Sequence, residues 1–148
     1  MPSTDPVKDT RSESLADEAG HLIRRAQQMA VSTFHAVHGR DVTPIQYAIL
    51  RTLEDSPGID QVTLAQMVAL DTSTAAEIAA RLETKGWLVR EMLPRRQRSL
   101  HLTDLGRSVL HRIGPVVPVM QDALLATLEP QERVELLRLL RKLVQFGN

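Results

Sequence analysis

Six arginines, Arg90, Arg95, Arg96, Arg98, Arg107 and Arg112, fall between Trp87 and Arg112 against only two carboxylates, Glu91 and Asp104. The formal net charge of the chain is zero, so the rest of it is net acidic and the positive charge is gathered in one segment. Such a segment is a candidate surface for a polyanion. Pro94 stands among the arginines of Leu93–Arg98, between two runs of period near two, Trp87–Met92 and Ser99–Leu102. This describes a β-hairpin with a basic tip. A short arginine turn is equally often a solvated surface, so the stretch before it decides the reading. There Ala75, Ile78, Ala79 and Leu82 share one helical face, and Ser73, Ala76, Glu77, Ala80 and Thr84 project from the other, flanked by Thr74 and Arg81. A face of small and hydroxyl side chains is slim enough for the major groove, about 12 Å wide, where hydroxyls reach phosphates or bases, methyl groups touch thymine and glutamate accepts from cytosine. The positive end of the helix dipole would meet a phosphate. Alone, this is an exposed helix on a helical core; followed directly by the basic hairpin, it predicts a surface for double-stranded DNA. The candidate contacts are Thr72, Ser73, Thr74, Ala76, Glu77, Ala80 and Arg81 on the helix, Arg96 in the minor groove, and Arg95 and Arg98 on phosphates.

Other chemistry is weakly represented. His35 and His38 are close enough on a helix to share a zinc, but there is no cysteine and no carboxylate of certain position, so no metal site is expected. The lack of cysteine also excludes disulfides and thiol redox sensing. No phosphate-binding glycine loop, nucleophile elbow or triad spacing occurs, and Glu54-Asp55 reads as a solvated helix end, so neither an enzyme nor a cofactor is expected. Met29, Phe34 and Trp87 read as core or element-end packing. One polar stripe remains: His21, Arg25, Gln28, Ser32 and His35, spaced by four, three, four and three. It is either a solvated or dimer-contacting face or, in part, the wall of a cleft, with Tyr47 of the next helix supplying an aromatic surface.

The elements that position these residues are mainly helical. Leu15, Ala19, Leu22, Ala26 and Met29 predict a helix from about Glu13 to His38, ended by Gly39. Thr43-Pro44-Ile45-Gln46 has the spacing of a capping box with proline at the first helical position, and Ser56-Pro57-Gly58 stops that helix. A third starts at Thr63 and closes near Ala69; a fourth follows Asp71-Thr72-Ser73 and ends at Lys85-Gly86. After the hairpin Thr103 caps a helix reaching Leu128, bent at Pro115 and Pro118, and Pro130 opens the last. Val134, Leu137, Leu140 and Val144, with Leu136, Leu139 and Leu143 beside them, give that helix an apolar face too wide for a monomer to cover, and Arg133 is placed on its exposed side. A homodimer is therefore expected. The fold class is mainly α with a small hairpin: a flexible tail over 1–12 and one domain over 13–148, in which 43–103 form the lobe and 13–40 with 104–148 the dimerisation helices. No apolar run spans a bilayer and no signal sequence opens the chain, so the expected location is cytoplasmic, away from any membrane.

In order along the chain, Val42-Thr43-Pro44-Ile45-Gln46-Tyr47, Thr63-Leu64-Ala65, Ser73-Thr74, Arg81–Leu88, and Arg95-Arg96 leading into Leu102-Thr103-Asp104-Leu105-Gly106 resemble the MarR family of transcriptional regulators. The likeness extends over roughly Leu15 to Leu143. It implies a triangular dimer whose winged helix-turn-helix lobes bind an inverted-repeat operator. It also implies a repressor released by a small molecule, commonly an aromatic acid; an aromatic carboxylate or its coenzyme A thioester is the expected effector, held by His21, Arg25, Gln28 and Tyr47. Pro94 departs from the family's aspartate two positions before the wing arginine, so that brace is missing. Ala76 and Glu77 replace the usual basic middle of the recognition helix, and Glu129 replaces the Ser or Thr cap of the last helix. The alternative is a winged-helix module that binds protein without reading DNA, which zero net charge and Glu77 favour and Arg95, Arg96 and Arg98 oppose.

Overall fold

The computed structural model describes residues 14–145, the side chain of Arg96 excepted. The tail expected over 1–12 lies outside them. The first helix begins later than Glu13. Ser14 caps a 3₁₀ turn, Leu15–Asp17, the backbone extends at Glu18, and α1 runs Ala19–His38. α2, Pro44–Asp55, carries the expected reciprocal cap: Gln46 N–H donates to Thr43 Oγ1 and Thr43 N–H to Gln46 Oε1, both at 3.2 Å. α3, Gln61–Met67, starts ahead of the expected Thr63. Asp60 accepts from the N–H groups of Val62 and Thr63 at 3.1 Å and from the Thr63 hydroxyl, so a carboxylate takes the orphan donors and Thr63 becomes its ligand.

α4 runs Thr72–Thr84 from an Asp71 cap. Its end explains why Trp87 is not in the first strand: with Gly86 at φ +77°, the Trp87 N–H turns back to the Leu82 carbonyl at 2.9 Å. β1, Leu88–Met92, then pairs antiparallel with β2, Arg98–Leu102, in the register Leu88 to Leu102 and Met92 to Arg98. α5, Asp104–Ile113, follows its Thr103 cap. The single bent helix expected to reach Leu128 is two: a 3₁₀ turn, Gly114–Val116, separates α5 from α6, Val117–Leu124, where Pro115 and Pro118 withhold their donors. α7, Pro130–Leu143, starts from Glu129 in place of a hydroxyl cap, in a capping box whose Glu132 side chain accepts from the Glu129 N–H at 2.9 Å.

The core lies in the middle of the chain. Ile49, Leu50 and Leu53 of α2, Leu64 of α3, Leu82 of α4, Leu88 and Leu100 of the hairpin and Ile113 of α5 are fully buried. Gly106 seats α5 on this core: a Cβ there would stand 1.8 Å from the Trp87 carbonyl oxygen. The outer helices are different. α1 buries only Phe34 and α7 buries nothing, and Leu22, Met29, Val134, Leu140 and Leu143 are exposed. Met29 is therefore not core, whereas Phe34 is buried and Trp87 packs, partly buried, against the core cluster. Arg133 is not on the open side of α7; it donates to the Leu128 carbonyl at 3.1 Å and to Asp122 at 3.0 Å, tying α7 to α6. Glu54 is likewise not a free helix end, since it meets Arg51 at 3.0 Å and His111 of α5 at 2.6 Å.

Candidate functional site

α4 sets Ala75, Ala79 and Leu82 into the core, which turns Ser73, Glu77, Arg81 and Thr84 outward, with Ala76 and Ala80 half-buried between them. Thr72 is exposed and Thr74 half-buried at the start. Both Ser73 and Thr74 are engaged there: each hydroxyl donates to Asp71 at 2.7 Å, and the Thr74 N–H adds a third bond at 2.8 Å. These bonds, the Ser73 hydroxyl first, hold the Asp71 carboxyl well below the usual carboxylate range. The N-terminus of α4 is thus already met by a fixed negative charge, where the sequence reading set a phosphate.

The wing stands beside this helix on a brace that sequence reasoning missed. Glu83, near the end of α4, accepts from the Arg90 N–H at 3.0 Å and from its guanidinium at 3.1 Å. The Arg90 side chain is 15% exposed and that of Glu83 is 39% exposed, so the pair is partly shielded from water. The Arg90 hydrogen bond, opposed by some desolvation, lowers the Glu83 carboxyl below its ordinary value, and the charge of Arg98 contributes. The pair spans the turn between α4 and β1, and the sequence signal was there: two opposite charges seven residues apart across Gly86. A second anchor lies under β2. Leu100 accepts from the Gly58 N–H at 2.9 Å and donates to the Ile59 carbonyl at 3.0 Å, while the buried Ser99 hydroxyl donates to the Gly58 carbonyl at 3.1 Å. The hairpin is therefore fixed at its base from both sides, although Pro94 supplies no carboxylate at its tip.

At that tip Pro94–Arg96 form a 3₁₀ turn closed by the Leu93 N–H on the Gln97 carbonyl at 2.7 Å. Arg95 takes φ +70°, a left-handed conformation that costs a side-chain-bearing residue about 1 kcal/mol or more. The side chains of Arg95 and Arg98 are exposed. The Arg96 side chain falls outside the described residues.

The polar stripe of α1 is only partly a cleft. Arg25 and Gln28 line an open one of about 530 Å³ with Arg24, Met29, Ser32 and Thr33, and Gln28 and Ser32 continue into a second of about 770 Å³ with His35 and Arg40. Tyr47 lies elsewhere, in an apolar cavity of about 150 Å³ formed with Thr33, Phe34, Met120 and Leu124, its ring 6.1 Å from that of Phe34. Thr33 borders both spaces. His21 is half-buried and lines neither of them. His35 closes the end of its own helix, its Nδ1–H donating to the Gly39 carbonyl at 3.0 Å. Among the described residues, no helix is long and apolar enough to cross a membrane.

A helix with an open, slim face beside a two-stranded basic wing is a winged helix-turn-helix. The MarR family profile matches residues 42–100. The chain is 32% identical over 134 residues to the transcriptional regulator HosA of Escherichia coli, covering 88% of this chain and 98% of that one. Its fold is similar to that of the transcriptional regulator PcaV of Streptomyces coelicolor, solved with its natural ligand, with a TM-score of 0.84 and 34% identity over 93% of this chain and 99% of PcaV. It is also similar to BpsR of Bordetella bronchiseptica, whose DNA binding is regulated by 6-hydroxynicotinic acid. The TM-score there is 0.83, with 27% identity over 91% and 99% of the two chains. The chain belongs to the MarR family of transcriptional regulators, with the DNA-binding winged helix of that family.

Proposed function

We propose that the protein is a homodimeric repressor that acts in the cytoplasm on an inverted-repeat operator and is released from it by a small aromatic acid. The observation that carries the reading is the pairing of α4 with the braced wing: one exposed face shaped for the major groove, and Arg95 and Arg98 held beside it by Glu83 and Arg90. Residues 43–103 form the DNA lobe in this reading, and 13–40 with 104–148 form the dimer arms. The apolar groove of about 500 Å³ between α1, α6 and α7, with Leu22, Leu125, Leu136 and Leu140 on its walls, is where a second copy closes the arms. Two lobes related by a two-fold axis reach half-sites about 34 Å apart, or about ten base pairs.

The effector sits beside α1. Arg25 offers a planar fork to a carboxylate, with Gln28 in the same cleft, and the small cavity at Tyr47 and Phe34 has the volume of one aromatic ring. What supports this class of ligand is the regulation of BpsR by 6-hydroxynicotinic acid together with the chemistry of the cleft. His21 contributes only if the arms close so as to bring it to the cleft. Release requires the ligand to prefer the DNA-incompetent dimer, and a preference of about 10–100-fold supplies about 1.4–2.7 kcal/mol of coupling. The test is calorimetry with benzoates, hydroxybenzoates, pyridine carboxylates and their coenzyme A thioesters on the wild type, Arg25→Ala and His21→Ala. One class binds, Arg25→Ala weakens it, and saturating operator weakens it by the factor through which it weakens operator binding. A panel without a binder, or a binder indifferent to Arg25→Ala, removes the pocket assignment.

A further inference from the structure

Between Thr72 and Arg81, which are exposed and carry donors at either end, the outward strip of α4 has no hydrogen-bond donor left to offer a base. Ser73, Ala76, Glu77, Ala80 and Thr84 follow one another along it at helical spacing. Two of them are alanines, which present only methyl groups. The Ser73 hydroxyl hydrogen is spent on Asp71 at 2.7 Å, because an ionised carboxylate can only accept and the hydroxyl must be the donor. The Thr84 hydroxyl is spent on the Ala80 carbonyl at 3.0 Å, which also can only accept. Glu77 is exposed, and no hydrogen bond or ion pair holds its carboxylate among the described residues. What the strip shows to a groove from Ser73 to Ala80 is therefore lone pairs and methyl groups. The cations stand at its far end: Arg81 and Lys85 border a cleft of about 480 Å³ with Gln46, where α4 meets the start of α2.

The major-groove edges sort themselves against such a strip. Adenine N6 and cytosine N4 donate, thymine offers a methyl group, and guanine offers only the acceptors O6 and N7. We infer that α4 recognises its half-site through the amino groups of cytosine and adenine and the methyl of thymine, with Ser73 and Glu77 as the specificity-determining acceptors, no hydrogen bond to guanine O6 or N7, and Arg81 on the phosphate backbone. The inference rests on the proposed entry of α4 into the major groove. It reverses the commonest mode of direct readout, in which arginine or lysine grips guanine, and it explains why a recognition helix with Glu77 at its middle is compatible with DNA. The negative charge of Asp71 and Glu77 is a general repulsion, offset by the arginines of the wing.

The full-length protein is first used to select duplexes from a randomised pool. In the selected duplex each half-site adenine is then replaced by purine, each cytosine by 2-pyrimidinone and each guanine by 7-deazaguanine. The first two delete the amino group, and the third deletes N7. Because losing an amino group also weakens the base pair, each analogue is titrated against the wild type and against the double variant S73A/E77A, which is altered only at exposed positions. At one or more positions, deleting an amino group should raise the Kd of the wild type about tenfold and that of the double variant less than about twofold. 7-Deazaguanine in the same half-site should leave the Kd within about twofold. Glu77→Gln, which adds an amide donor, should let guanine into a position the wild type rejects. Arg81→Ala should weaken all duplexes alike and lower the salt slope by about one. Loss of affinity with 7-deazaguanine, or amino deletions that cost both proteins the same, would overturn the inference and leave DNA binding intact. Failure to enrich any duplex would overturn DNA binding and the inference with it.

Discussion

Glu83 and Arg90 are the two residues that make wing position a consequence of recognition-helix position, and their coupling can be put into numbers. In Arg90→Met the backbone N–H still donates to Glu83 at 3.0 Å, and only the guanidinium bond at 3.1 Å is lost. A hydrogen bond to a charged group contributes about 1.5–3 kcal/mol when shielded. The Glu83 side chain is 39% exposed, so solvent screening brings the loss down to about 1 kcal/mol. Glu83→Ala removes both bonds and strands the Arg90 N–H and a guanidinium whose buried Nε already lacks a partner, which costs about 2–3 kcal/mol. In the double variant no guanidinium remains to be stranded, so the two losses do not add. Urea unfolding of the four proteins, followed by circular dichroism and by the fluorescence of the sole tryptophan, Trp87, should give a coupling of about 1 kcal/mol. The same four proteins should lose operator affinity in the order of the broken brace, since a wing released from α4 keeps its arginines but not their direction. A coupling below about 0.3 kcal/mol, or unchanged operator affinity in Glu83→Ala, would refute the brace.

Leu140→Glu places a charge in the groove between α1, α6 and α7 and should convert the dimer to a monomer in sedimentation and abolish operator binding; a folded monomer with full affinity would contradict both dimer and inverted repeat. Gly106→Ala forces the Trp87 carbonyl away from a 1.8 Å overlap and should cost about 1–3 kcal/mol or more in thermal unfolding, against less than about 0.5 kcal/mol were the contact relieved for free. Asp60 and Asp71 are lowered by the donors they cap, so the stability they contribute is complete above their unfolded values near pH 4 and is lost as pH falls through the lowered folded values. Asp71→Asn should therefore flatten the acid limb of a stability–pH curve; an unchanged limb would contradict the assignment. Arg96→Ala should weaken operator binding by about 1–3 kcal/mol and reduce the salt slope by about one.

Local chemistry was legible and distant chemistry was not. Thr43 with Gln46, the Thr103 cap, the prolines after Gly114 and the alternation on either side of Pro94 each act within a few residues, so the sequence placed them. Asp60 and Thr63 are both good capping residues, and the stronger acceptor took the helix start. The apolar faces of α1 and α7 were read correctly as faces, but which of them the chain buries by itself depends on how far the arms stand from the lobe. Met29 is exposed for that reason, whereas Arg133 is turned inward by Asp122 and the Leu128 carbonyl, partners within its own arm. The exposed strip of α4 was legible because a helix buried on one side must show the other. The direction of its hydroxyl hydrogens was not, because it depends on Asp71 and on a backbone carbonyl. Tyr47 and Arg25 lie on neighbouring helices, which does not settle which space each faces: Arg25 lines the open cleft, Tyr47 and Phe34 line the apolar cavity, and Thr33 borders both.

The central claim is that α4 and the wing together bind duplex DNA specifically. Fluorescence anisotropy with the promoter region flanking the protein's own gene, titrated at several salt concentrations against a scrambled duplex of equal length, tests it most directly. The account predicts saturable binding by two chains per inverted repeat, about a thousandfold or more tighter than to the scrambled duplex, with an affinity that falls steeply with salt and a slope that becomes shallower by about one in Arg98→Ala. Equal affinity for both duplexes, or a specific complex whose salt slope is unchanged in Arg98→Ala and Arg95→Ala alike, would contradict it.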